Sequence, residues 1–167
     1  MRPVRAPRAG RRRQRERHGQ VDEDGPEQDW RSSVNTTIDR VSPEVAVLAL
    51  DGELDASNYR ELITTGSSLY ADGARSLILD LSNLAYMSSS GIVALHSLAL
   101  IFRGQLPPDP EAGWAAIHAV SADTAAGEAA DQVRLVNPTP AIDSVLERTG
   151  LRRILPVYPD RNAAIAG

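Results

Sequence analysis

Three consecutive serines followed by a glycine, Ser88-Ser89-Ser90-Gly91, are the residues of this chain best suited to chemistry. A hydroxyl in such a cluster can cap a helix, accept a phosphoryl group or attack a carbonyl, and its neighbours decide which. A hydrolase nucleophile elbow requires Gly-x-Ser-x-Gly. With Ser89 as the serine, Gly91 fits, but Met87 stands where the first glycine belongs. A triad also requires a placed base. Beyond the N-terminal tail the histidines are His96, inside an apolar helical pattern, and His118, in an irregular stretch. Each reads as a packed or surface residue, and together they lack the spacing of a metal site. No catalytic residue, metal site or cofactor is expected, and the chain does not read as an enzyme.

Absences narrow the field further. The chain has no cysteine, which removes disulfides, thiol nucleophiles and thiolate metal sites. Every basic residue other than histidine is arginine, so a Walker A lysine, a kinase ATP-positioning lysine and a Schiff base are excluded together. No apolar run approaches the roughly 18 residues that span a bilayer. The Arg-rich start has no apolar segment behind it, so a secretory signal is not indicated. Charge is uneven: Met1 to Gln20 carries +7 and the remainder −11. An acidic domain behind a basic tail argues against sequence-specific nucleic-acid binding. Residues 1–31 read as a disordered Arg-rich tail and acidic linker. Residues 32–167 form the folded part, in a chain long enough for one domain with a real core.

The elements that must position the serines follow from hydrophobic periodicity. Val34–Val41 is a modest edge strand, and Val45–Leu50 a continuous apolar strand covered on both faces, with a turn-like exit through Asp51–Asp55. Tyr59, Leu62, Ile63, Gly66, Leu69 and Tyr70 mark one face of a helix, with Ser57 or Asn58 at its start and Asp72-Gly73 at its end. Ser76–Leu81 is a strand, Ser82–Met87 a loop, and about Ser90–Arg103 a helix apolar on most sides, which fits burial on more than one face or, in part, a docking face. Pro107-Pro108 breaks the pattern, and Asp109-Pro110 opens a short helix through Trp114 to Val120. Ser121–Asp131 reads as loop. Val133–Val136 is a strand, Thr139-Pro140 opens a helix capped by Gly150, Ile154–Val157 is a last strand and Asp160–Ala166 a last helix. Alternating strands and helices give an α/β architecture, a small mixed or parallel sheet flanked by helices.

At the junction of strand and helix, the first turn offers unpaired N–H groups and a partial positive charge to Ser88, Ser89 and Ser90. Gly91 permits another chain to approach the backbone closely. Four motifs in register, Leu50-Asp51-Gly52-Glu53-Leu54-Asp55, Leu79-Asp80-Leu81-Ser82, Tyr86-Met87-Ser88-Ser89-Ser90-Gly91-Ile92 and Leu135-Val136-Asn137-Pro138, resemble the STAS domain, and more narrowly bacterial anti-sigma factor antagonists. The resemblance covers about Val34 to Ala166. It implies a STAS-like fold and a cytoplasmic regulatory module that binds an anti-sigma factor of the ATP-using serine kinase type, with a phosphatase resetting the state. It implies Ser89 as the phosphate acceptor, with Ser88 and Ser90 as alternatives, and Asp55, Ser88, Ser90 and Gly91 at the partner surface. The family's loop usually reads Asp-Ser-Ser/Thr-Gly, and Ser88 stands where that aspartate is expected. Against the tight turn usual in the family, residues 105–131 read as an insertion that either supplies a private interface or decorates an edge. A constitutive, unphosphorylated STAS subunit of a lipid-transport or sensory complex is the alternative within the same fold.

Overall fold

The computed structural model describes residues 34–109, 112, 114–127 and 129–167. Five strands, β1 (Val34–Arg40), β2 (Val45–Leu54), β3 (Ser76–Met87), β4 (Val133–Val136) and β5 (Val157–Tyr158), form one sheet in sequence order. The pair β1–β2 is antiparallel and the remaining pairs are parallel. The helices are α1 (Tyr59–Ala71), α2 (Ser89–Phe102), α3 (Trp114–Ala126), α4 (Pro140–Thr149) and α5 (Arg161–Ala166). Parallel strands in sequence order, joined by right-handed crossovers, force every connecting helix onto one face of the sheet. The main core lies there: Leu48, Leu50, Leu79 and Leu135 from the strands meet Leu62, Leu95, Leu98 and Leu146 from the helices. The opposite face carries a small cluster of Val47, Ile78 and Val136, closed by Ala164 of α5.

Two segments expected as turn and loop are strand. Instead of leaving the sheet at Asp51, β2 continues to Leu54, and β3 runs through Ser82–Met87 alongside it. The pairing survives two register shifts, and Gly52, at φ 115°, takes a backbone conformation that a side chain disfavours. The sheet outlasts the apolar run because the second half of the pair alternates, with Leu54, Leu84 and Met87 turned inward and Asp51, Ala85 and Tyr86 exposed. At the other end, Ile154 and Leu155 are buried but not in the sheet. A 3-10 turn at Leu151–Arg153 precedes them, and β5 forms only after Pro156, whose carbonyl accepts from Leu135 N–H.

The insertion is not edge decoration. Residues 121–126, expected as loop, complete α3, because alanine at 115, 119, 122, 125 and 126 favours helix until Gly127 ends it at φ 72°. Ala116 and Val120 of α3 join the main core. With the sheet, α1 and α3 packed around α2, every residue from Gly91 to Phe102 is buried, so the helix keeps no free docking face beyond its first turn. Gly66 of α1 makes that packing close: a β-carbon there would collide with Leu98 of α2. Of the helix opening expected at Asp109-Pro110, Pro110 lies outside the described residues, as do the tail and linker, while the Asp109 carbonyl accepts from Ala112 N–H at 2.9 Å.

On the far face, α5 is held by two arginines. Arg161 Nε donates to Asp80 Oδ2 at 2.7 Å, and Arg134 donates to the Ala164 carbonyl at 2.7 Å. Burial pushes the Asp80 carboxyl up, but the Ser82 hydroxyl and N–H, with Arg161, outweigh it and hold the group below its ordinary 3.8. A carboxyl depressed in the folded state stabilises fully above its unfolded value and loses that contribution as pH falls through the lower native one. Asp80→Asn should therefore be less stable than the wild type at neutral pH. The difference, read from urea unfolding at each pH, should be flat above 3.8 and shrink below it.

Candidate functional site

The parallel extension of β2 and β3 delivers the serines. Leu54 and Met87 are register partners at the sheet end, and Ser88 N–H donates to the Leu54 carbonyl at 2.9 Å. Ser88 is extended (φ −87°, ψ 179°) and is the N-cap of α2: its Oγ accepts from Ser90 N–H at 3.2 Å, and its carbonyl accepts from Ile92 N–H at 3.1 Å. Ser89 is therefore the first helical residue. It is exposed, and among the described residues its hydroxyl has no hydrogen-bond partner. The three serines are thus unequal, one structural and one free, with Ser90 half-buried between them. Serine caps a helix about as well as aspartate does, so the departure at Ser88 keeps the local geometry and removes only a negative charge.

Asp55 is half-buried on the neighbouring loop, one residue beyond Leu54. Its Oδ1 accepts from the N–H and hydroxyl of Ser57 at 2.9 and 2.6 Å, while its own N–H donates to Asn58 Oδ1 at 3.0 Å. Asn58, at the start of α1, makes no cap with its side chain; it pins this loop instead, its Nδ2 donating to the Glu53 carbonyl. Gly91 is buried, and the close approach that glycine permits is made from within the chain. A β-carbon there would lie 2.5 Å from Met87 Cγ and 3.1 Å from Leu54. The structure thus places Asp55, Ser88, Ser89 and Ser90 around one corner of the sheet, with Gly91 beneath them.

Beside this corner lies a groove of about 360 Å³, walled by the start of α2, by α3 and by α4. Met87, Ile92, Val120 and Val145 supply its apolar surface. Ser89, Ser121 and Arg148 stand at its exposed rim. The wall from α3 is tied down by a polar contact. His96, 1 % exposed on α2, meets Asp123 Oδ2 of α3 at 2.6 Å. A histidine in an otherwise apolar, fully covered helix requires such a partner, and this was the available sequence clue that the insertion folds back onto α2. No comparable clue marked Arg148, since a cation in the last turn of a helix is ordinary dipole complementarity. His118 is exposed on α3.

Residues 39–105 match the family model described as "Mlab, STAS domain", a stretch that contains Asp55 and all three serines. No curated protein matches the sequence. Among solved structures, an anti-sigma factor antagonist from Mycobacterium paratuberculosis is 21 % identical with a TM-score of 0.57, covering 80 % of this chain and 92 % of its own. The anti-sigma factor antagonist SpoIIAA in its unphosphorylated form is 21 % identical with a TM-score of 0.51, covering 77 % and 92 %. SpoIIAA of Bacillus in the phosphorylated form is 20 % identical with a TM-score of 0.50, covering 79 % and 98 %. These likenesses establish an α/β fold of the SpoIIAA kind. Among the described residues no helix is long and apolar enough to cross a membrane.

The unequal roles of the serines can be measured. Ser88→Ala removes the cap and should cost about 0.5–2 kcal/mol in chemical denaturation, whereas Ser89→Ala should stay within about 0.5 kcal/mol of the wild type. Gly91→Ala should cost about 1–3 kcal/mol through overpacking against Met87 and Leu54. Equal effects at Ser88 and Ser89 would contradict the capping assignment.

Proposed function

We propose that this chain is a STAS domain that acts as an anti-sigma factor antagonist, a protein-interaction module switched by phosphorylation of Ser89, a reading supported by the family-model match and the shared fold. One observation carries the reading: Ser89 offers an exposed, uncommitted hydroxyl at the first residue of a helix, while Ser88 is spent on the cap. Such a hydroxyl can enter a kinase active site without unfolding the element that bears it. The partner is an anti-sigma factor that binds ATP and acts as the serine kinase, touching the corner formed by Asp55, Ser88 and Ser90 in the cytoplasm. Transfer forms a bond from Ser89 Oγ to the γ-phosphorus and breaks the β–γ anhydride bond. ADP leaves, and the hydroxyl proton passes to a base of the kinase. The product carries about −1.5 to −2 charges on the docking surface. A partner surface complementary to the neutral serine loses affinity, recaptures its sigma factor, and a phosphatase restores the first state. In this reading the chain contributes the accepting Ser89 hydroxyl, the kinase supplies the base, and the chain works as a switch component. In this reading the switch lies within residues 32–167.

The alternative, a constitutive STAS subunit of a lipid-transport or sensory complex, is favoured by Ser88 itself, which lacks the anionic character usual at that position. Mass spectrometry after incubation with the cognate kinase and ATP separates the two. Addition of one phosphate to the peptide containing Ser88–Ser90, lost in Ser89→Ala, is expected. Ser89→Glu should weaken partner binding about tenfold or more, about 1.4 kcal/mol, with Ser89→Ala near wild type. An unchanged mass with equal affinities would leave the constitutive subunit.

A further inference from the structure

We infer that Arg148 receives the phosphate of phosphorylated Ser89 within the same chain, inside the groove that both residues line. The inference rests on the phosphorylation reading above and concerns what the phosphate does once attached. Ser89 enters the groove from the start of α2 and Arg148 from the last turn of α4, with α3 as the third wall. Among the described residues no acidic side chain lines the groove to compete for the guanidinium. Among the described residues Arg148 has no carboxylate partner. Its one hydrogen bond, from Nε to the Ser144 carbonyl, is long at 3.4 Å. Arg152, the next arginine along the chain, is by contrast held by Asp143 at 3.1 Å.

A guanidinium presents parallel N–H donors that match two phosphate oxygens at once, and charge-assisted pairs of this kind are the strong ones. Ser121, exposed on α3, adds a hydroxyl donor at the same rim. The Thr149 hydroxyl adds none, being committed to the Val145 and Leu146 carbonyls at 2.8 and 3.2 Å. Capture of the phosphate then changes the docking surface twice. It adds negative charge at Ser89, and it withdraws from any approaching partner the groove's one cation and access to its apolar floor. The inserted helix α3 would belong to the switch, because it supplies a wall and a donor.

The test needs no kinase. Ser89 is replaced by genetically encoded phosphoserine in the full chain, and the phosphate is titrated by 31P NMR. Free phosphoserine loses its second proton near pH 6, about its usual value. A cation facing the phosphate favours the dianion, so the protein's midpoint should lie lower, and Arg148→Gln should raise it by about one pH unit. Arg152→Gln, whose cation is already engaged by Asp143, should leave the midpoint where it was. Arg148 is exposed, so its variant should fold, and the melting curve checks this. An identical midpoint with and without Arg148, or the same rise in both variants, overturns the inference. Since the phosphate is installed directly, that result would leave phosphorylation by a kinase standing. A kinase that never modifies Ser89 would remove the switch while leaving this measurement valid.

Discussion

The hydrogen bond from Ser88 N–H to the Leu54 carbonyl is the contact on which the site depends. It continues the β2–β3 pairing one step beyond Met87 and fixes where the chain turns from strand into helix. Were β2 to leave the sheet at Asp51, Ser88 would lose its anchor and the cap would have nothing to orient it. Met87 and Leu54 also occupy the space beside Gly91, so sheet end and helix start form one packed joint. Rigidity below and exposure above are two consequences of that joint. Ser88 is consumed in building it, and Ser89 is left outside it.

The insertion has a physical role that its composition conceals. A helix as apolar as α2 must be covered on all sides, and the sheet and α1 leave one flank open. Helix α3 closes that flank with Ala116 and Val120, and the His96–Asp123 contact gives the apolar interface a polar fixed point. Covering α2 consumes the surface that its sequence advertised for docking. It also creates the groove, because Ile117, Val120 and Ser121 of α3 form one of its walls. The likeness to antagonist structures concerns the shared fold, and the family-model match stops at residue 105, before α3 and α4.

Most of the architecture was legible because strands and helices here differ in period, and Gly, Pro and Asx residues punctuate them. The motif around Asn137 is a case in point: asparagine tolerates the left-handed φ of 46° found there, and its side chain donates to Ser82. The misreadings share a cause. The ends of β2 and β3 alternate instead of running apolar, so they resemble loop until paired with each other. Residues 121–126 mix alanine with small polar residues and carry no amphipathic stripe, and their helicity shows only through alanine content. Ile154 and Leu155 looked like strand because burial and sheet pairing give the same apolar signature. At the site, a hydroxyl cluster before a helix was visible in one dimension. Which serine caps and which is free was not, since that depends on a carbonyl 34 positions earlier in the chain, at Leu54.

Amide hydrogen exchange followed residue by residue by NMR on the unmodified protein tests the joint directly. The Ser88 amide should exchange as slowly as the paired amides of β2 and β3, while the Ser89 amide, with no acceptor among the described residues, should exchange fast. A fast Ser88 amide would mean that the strands part before the serines, and a protected Ser89 amide would mean that the free serine is not free.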